Sequence, residues 1–222
     1  MTMDRRVLLG WIATSLLPLG ACTTAGGRSA PAASDPESGA LMGVDYAAPL
    51  YNEPYFVPGV RTGTLPVKFQ RQLVADRSGE APGTIVVRTN QHFLYLVQPG
   101  GKAIRYGIAI GREGFSWKGR AVVGAKRKWP DWHPPKEMIE RDPRLRIFAG
   151  APGGMAGGTD NPIGARALYL YQNGRDTLYR IHGTTDASSI GSAATSGCVR
   201  MLNVDVIDLY ERAPVGAQVI VL

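Results

Sequence analysis

His182 and Cys198 lie sixteen residues apart in IHGTTDASSIGSAATSGCVRM, and they are the side chains best suited to chemistry in this 222-residue chain. A thiol attacks a carbonyl as the thiolate, so a nucleophilic cysteine needs a neighbouring base or cation, and histidine commonly serves. One imidazole can take the thiol proton and later deliver it to a leaving amine. Its second ring nitrogen must be held by an acceptor, for which the backbone at Gly183 is the candidate. Ser196-Gly197 ahead of Cys198 permits a tight turn, and the Gly197 and Cys198 amides could then face an acyl oxygen gaining negative charge. Taken alone, a Gly-Cys pair is also compatible with an inert packing cysteine, and a strand-end histidine with a structural one.

The other cysteine, Cys22, follows an apolar run over 7–21 that is preceded by Arg5-Arg6. That run is short for a bilayer span and suits a signal h-region, so 1–21 is expected to be a signal peptide, lipoprotein-like and loosely twin-arginine in its start. Leu19-Gly20-Ala21-Cys22 resembles the bacterial lipoprotein cleavage box, which makes Cys22 the expected lipidation site. The expected location is the periplasmic side of the cell envelope, with a lipid anchor in a membrane. Ordinary cleavage near Cys22 would instead release a soluble protein. Either way Cys198 is left without a disulfide partner, and an isolated thiol in an oxidising compartment is a packing residue or a nucleophile.

The elements that must position the pair begin well downstream. Residues 22–40 are rich in Pro, Gly and Ser and read as a disordered tether; 41–80 hold Tyr46, Tyr51, Tyr55 and Phe56 without clean periodicity and read as an N-terminal arm. From 81 to 222 short β-runs alternate with turn residues (TIVVRT, HFLYLVQ, KAIRYGIAI, RALYLY, TLYRIH, QVIVL), which predicts a mostly β sandwich or barrel. One helix is expected from Val204 to about Arg212, with Asn203 as N-cap and Pro214 as stop. Asn173-Gly174 predicts a two-residue hairpin turn, which pairs Tyr169 with Leu178 and Ala165 with His182. Leu178, Arg180 and His182 then share a face.

The remaining features invite plainer readings. The formal net charge of +7 could suit an anionic wall polymer, but Lys126-Arg127-Lys128 reads as a solvated loop and nothing points to nucleic acid. His92, His133 and His182 with one usable cysteine lack HExxH and CxxC spacing, so no metal is expected. His92 is read as a solvated residue at a hairpin edge. Trp129 and Trp132 could stack on substrate or simply pack, and the glycine-rich 150–164 reads as a flexible loop that could cover the cysteine.

At His182-Gly183-Thr184, Ser189-Ile190-Gly191, Thr195-Ser196-Gly197-Cys198-Val199-Arg200 and Asn203-Val204-Asp205-Val206-Ile207-Asp208-Leu209-Tyr210 the chain resembles the L,D-transpeptidase catalytic domain of bacterial cell-wall enzymes. Similarity extends over 107–124, 129–135 and 161–170, so that it covers roughly 84–222. The resemblance implies a β-sandwich of the L,D-transpeptidase type, with one or two short helices and a C-terminal helix and strand after the cysteine. It also implies a Cys198 nucleophile, a His182 base, and peptidoglycan stem peptides as partners. The thioester would form at the third, diamino acid of the stem with loss of D-alanine, and an amine would then resolve it. No cofactor is implied, and a monomer is expected. Arg200 fills the family's Arg/Asn position as a loop brace or a substrate contact, with Thr184 and Trp132 as further substrate or loop residues. Ser196 stands where the family pattern carries histidine. The same Cys-His site could instead hydrolyse its thioester, as a carboxypeptidase or endopeptidase, or the domain could be a non-catalytic wall-binding lipoprotein.

Overall fold

The computed structural model describes residues 39–111, 118–149, 154–195 and 197–222. The signal segment, Cys22, the tether as far as residue 38, Ser196, and 150–153 of the glycine-rich stretch lie outside the described residues.

The described strands are β1 (Ala40–Leu41), β2 (Gln72–Ala75), β3 (Ile85–Arg88), β4 (Phe93–Gln98), β5 (Lys102–Gly107), β6 (Ile110–Gly111), β7 (Gly119–Lys128), β8 (Arg166–Gln172), β9 (Arg175–Thr184), β10 (Ala193–Thr195), β11 (Val199–Leu202) and β12 (Gln218–Val221). The helices are two short ones, α1 (Lys136–Arg141) and α2 (Arg146–Ala149), and α3 (Asn203–Arg212), which links β11 to β12. The fold is therefore mostly β, with short helices and a helix and strand after Cys198. Ten strands make one sheet in the order β1-β2-β5-β4-β3-β12-β7-β8-β9-β11, and β6 pairs with β10.

Alternation divides the apolar side chains between two cores. Ile85, Val87, Leu94, Leu96, Ile104 and Tyr106 share the first with Leu168, Leu170, Ile181, Val199, Met201 and the α3 residues Val206 and Leu209. Strands from opposite ends of the sheet thus bury a common interior, and the sheet curls over on itself. Ala109 bridges Arg200 at the seam, each amide donating to the other carbonyl at 2.8 and 2.9 Å. Val86, Phe93, Tyr95 and Val97 face the second core, which Tyr46, Leu65, Phe69 and Val74 of the 41–80 segment fill. That segment also supplies β2 to the sheet, against β5.

Four local expectations need correction. Gln172 faces Arg175 and Tyr171 faces Asp176 across Asn173-Gly174, but beyond them Tyr169 faces Arg180 rather than Leu178, and Ala167 rather than Ala165 faces His182. A bulge over 177–179 absorbs the extra residues, and Leu178 takes φ +65 there with 77% exposure. The Thr177 hydroxyl donates to the Leu170 carbonyl at 2.7 Å and the Asp176 carboxylate accepts the Leu178 amide at 2.8 Å, satisfying groups within the bulge. Asn203 does not cap α3: the helix starts at Asn203 itself, and its Oδ1 accepts the Ala165 amide at 2.9 Å. Lys126-Arg127-Lys128 ends strand β7, and Lys126 Nζ donates to the Tyr210 and Ala213 carbonyls at the end of α3, where the helix dipole favours a cation. His92 is half-buried in a left-handed cap with its Nε2 shielded from solvent, because the segment turns inward between β3 and β4.

Candidate active site

Strands β9 and β11 run parallel, which requires a crossover, and 185–198 provides it. The register pairs Ile181 with Val199, His182 with Arg200 and Gly183 with Met201. Ile181, Val199 and Met201 are buried in the first core, so His182 and Arg200 project from the opposite face. Arg180 shares that face on β9, and Cys198 immediately precedes β11. Ala167, His182 and Arg200 thus form one row across three strands, with Tyr169 facing Arg180 in the row behind.

The cysteine loop is held by backbone approach. It folds around 109–111, pairing Ala193 with Ile110 and Thr195 with Gly111 on one side and Arg200 with Ala109 on the other. Gly197 adopts φ +122, a conformation that glycine accommodates and side chains resist. A Cβ at Gly111 would lie 2.1 Å from the Gly197 nitrogen, so Gly111 sets the loop position directly. Its role is invisible in the sequence, where it is one glycine among 28 and no local motif marks the contact.

His182 is 7% exposed, and its Nδ1 lies 2.9 Å from the Gly183 carbonyl. A carbonyl only accepts, so Nδ1 carries the proton and Nε2 keeps its lone pair. Gly183 serves because a Cβ there would meet Asn203 Oδ1 at 2.1 Å, and its own amide donates to the Ile163 carbonyl at 3.0 Å. Burial is the main force lowering the His182 pKa, to about 4, and the Arg200 charge adds to it against the Gly183 and Ile163 carbonyls. Burial also raises the thiol of half-buried Cys198, while the Arg180 amide and the charges of Arg180 and Arg200 oppose that rise. Burial thus works against a preformed thiolate and imidazolium at these two positions.

A neutral buried histidine has a consequence for stability. Between about pH 6.5 and about 4 the unfolded chain binds the proton and the folded one refuses it, so stability is full above this window and falls as the pH drops through it, by about 3 kcal/mol in all. Urea unfolding at pH 7 and pH 4.5 should show this loss in the parent protein and a clearly smaller one in His182→Gln.

The other sequence-derived candidates are dispersed. Arg200 sits beside His182, with its Nε buried and unpartnered and its guanidinium influenced by Asp186. Thr184 closes β9 and its hydroxyl accepts the Asp186 amide at 3.1 Å, bracing the turn that follows. Trp132 lies on the 129–135 segment, bridged to Met155, and not on the strands that carry Cys198 and His182. Trp129 is buried, with its indole donating to Glu53 at 2.9 Å, and His133 is exposed. Ser196 lies outside the described residues.

A buried imidazole on β9 and a half-buried thiol just ahead of β11, followed by a helix and strand, define the candidate site, and comparison with known proteins gives the family of the domain that carries it. The L,D-transpeptidase catalytic-domain model matches residues 82–221, and the chain belongs to that family. A probable L,D-transpeptidase of Escherichia coli, ErfK/SrfK, is 34% identical over 142 residues, covering 61% of this chain and 42% of that protein. A putative L,D-transpeptidase of Fuscovulum blasticum is 30% identical, with 47% of this chain and 50% of that protein covered. The chain thus spans about half or less of these relatives' lengths. A crystal structure from Brucella melitensis, described as a probable carnitine operon oxidoreductase, is 49% identical and covers 72% of this chain and 97% of that one, with a TM-score of 0.49.

Proposed function

We propose that the protein is a peptidoglycan L,D-transpeptidase in which Cys198 is the nucleophile and His182 the base. The observation that carries this reading is the His182 Nδ1 contact with the Gly183 carbonyl, which leaves Nε2 as a base on the strand whose register sets His182 opposite Arg200, two residues after Cys198. In the first step the sulfur attacks the carbonyl of the third stem residue and its proton passes to His182 Nε2. The peptide C–N bond then breaks, and the imidazolium protonates the departing amine of D-alanine, leaving a thioester. An acceptor amine attacks the thioester, gives a proton to His182, and the thiolate leaves and regains it. The Gly197 and Cys198 amides would stabilise the oxyanion in both steps.

The export and lipid anchor belong to the same proposal and are supported by the 1–22 sequence. Thr184 is read as a turn brace by its contact with the Asp186 amide, and Arg200 as a loop brace by its backbone pairing with Ala109.

Incubating the protein with tetrapeptide-bearing muropeptides tests the reading. A thioester mass on Cys198, released D-alanine and new cross-linked dimers are expected; shortened stems without dimers would assign a hydrolase, and no thioester at all would assign a wall binder. The intact mass of protein isolated from its membranes also reports whether Cys22 carries acyl chains.

A further inference from the structure

The cysteine loop is laid over one short stretch of backbone, 108–111, which both of its limbs grip. On the incoming limb the Gly191 amide donates to the Ile108 carbonyl at 2.9 Å, and the Ile110 amide donates to the Ser192 carbonyl at 3.0 Å. On the outgoing limb the Arg200 amide donates to the Ala109 carbonyl at 2.9 Å. Gly111 closes the stretch opposite Thr195 and meets the tip of the loop through backbone alone. A Cβ on it would stand 2.1 Å from the Gly197 nitrogen, 2.3 Å from the Gly197 Cα and 3.1 Å from the Gly197 carbonyl carbon. Gly111 does not itself take a positive φ, so what demands glycine there is space. Gly197, by contrast, is buried at φ +122 and is joined directly to Cys198. Because both limbs are hydrogen-bonded to 108–110, a methyl group at 111 is relieved by moving the tip between them, Gly197 and the cysteine that follows it. Restoring ordinary contact takes a shift of about 1 Å, and misplacement on that scale can cost about 10²-fold in rate.

We propose that Gly111 is a positioning residue for the oxyanion donors: its bare Cα lets the Gly197–Cys198 backbone lie where the two amides meet the acyl oxygen. This inference rests on Cys198 being the nucleophile. When the sulfur adds to the acyl carbon, the S–C bond forms, the carbonyl π pair moves onto oxygen and the thiol proton passes to His182 Nε2. The amides bind that negative oxygen, and losing one such donor costs about 10²–10³-fold in rate. Alkylation of the same sulfur at a saturated carbon builds no tetrahedral oxyanion, since the S–C bond forms as the halide departs. A displaced Gly197 amide therefore slows acylation and spares alkylation, whereas a thiol sealed from solvent or a loosened domain changes both together. A second glycine supplies the control. A Cβ on Gly107 would meet the Phe69 carbonyl oxygen at 2.6 Å and the Phe69 Cβ at 2.7 Å, a clash in the same part of the chain that bears on neither Gly197 nor Cys198.

The test compares two rates at Cys198 on the full chain, each read by intact mass, with near-ultraviolet circular dichroism to establish folding. One is acylation by a carbapenem, whose lactam carbonyl passes through an oxyanion as its C–N bond opens; the other is alkylation by iodoacetamide. Gly111→Ala is expected to lower the ratio of acylation to alkylation by about 10²–10³-fold, the range for an oxyanion donor. Gly107→Ala is expected to keep the parent ratio even where its urea midpoint falls. Should Gly111→Ala fail to fold, Gly197→Ala takes the same peptide away from φ +122 and is expected to lower the ratio likewise. A folded Gly111→Ala or Gly197→Ala with the parent ratio overturns the proposal, as does a Gly107→Ala ratio lowered as far as that of Gly111→Ala. A parent protein that is alkylated at Cys198 but never acylated removes the nucleophile reading and this inference with it. A parent that is acylated, beside a Gly111→Ala of unchanged ratio, removes this inference alone.

Discussion

Cys198→Ala is expected to abolish covalent adduct formation, and His182→Ala to slow it by about 10²–10⁴-fold, the range removed with a positioned general base. Incubation with a carbapenem, an electrophilic acylating reagent, followed by intact mass, measures both. The pH dependence adds a sharper criterion. His182 must be neutral to accept the thiol proton, and burial with the nearby Arg200 holds its pKa at about 4. Acylation of the free protein should therefore keep its rate as the pH falls through 6.5 and lose it near 4, because imidazolium formation is deferred to that lower pH. An acid limb near 6.5 would mean that the imidazole is solvated in the working protein and that the buried neutral pair is wrong. A full-rate adduct in Cys198→Ala would remove the nucleophile assignment altogether.

Breaking the Arg71–Asp205 pair is expected to cost about 3–5 kcal/mol of folding stability, the range for removing one partner of a buried ion pair. Arg71 meets Asp205 and Asp208 at 2.9 Å each, and the Arg71 and Asp205 side chains are 8% and 1% exposed. The Tyr46 hydroxyl donates to Asp205 at 3.0 Å and accepts the Arg71 amide at 2.7 Å. Removing Arg71 leaves the buried Asp205 with only the Tyr46 hydroxyl, and removing Asp205 leaves the buried Arg71 with Asp208 as its remaining carboxylate, whereas replacing both with apolar residues of similar volume removes most of that penalty. Urea unfolding should thus place Arg71→Ala and Asp205→Ala far below the parent, and Arg71→Met with Asp205→Leu well above either. Equal stability of the single variants and the parent would mean that the 41–80 segment is not held to α3 by this cluster. The cluster joins that segment to the helix behind the site strand β11, so the segment contributes to the support of the site.

What the sequence made readable was local or compositional. Short alternating runs mark the strands, because the pleat repeats every two residues; Asn173-Gly174 marks a turn, because both positions take positive φ. His182 and Cys198 stand out because few side-chain types can serve as base and nucleophile, and the spacing around them carried the family. Each of these signals is written within a few neighbouring positions.

The departures arose where distant residues decide. The hairpin register depends on a bulge whose side chains satisfy its own backbone, so counting outward from the turn put Ala165, rather than Ala167, against His182. Asn203 has the composition of a helix cap, yet the crowding of Gly164 and Gly183 turns its oxygen toward the Ala165 amide. Irregular aromatics at 41–80 suggested only an arm, since the core that they enter is made of β3 and β4 side chains. The chain by itself thus determined which chemical groups are present and which segments form strands. The tertiary structure decided that β9 and β11 lie parallel, with His182 opposite Arg200 and Cys198 just ahead of it, and that burial lowers the proton affinity of the imidazole and raises that of the thiol. Parallel pairing requires a crossover, and proton affinity depends on burial by the whole fold, so neither is encoded in any short stretch of residues.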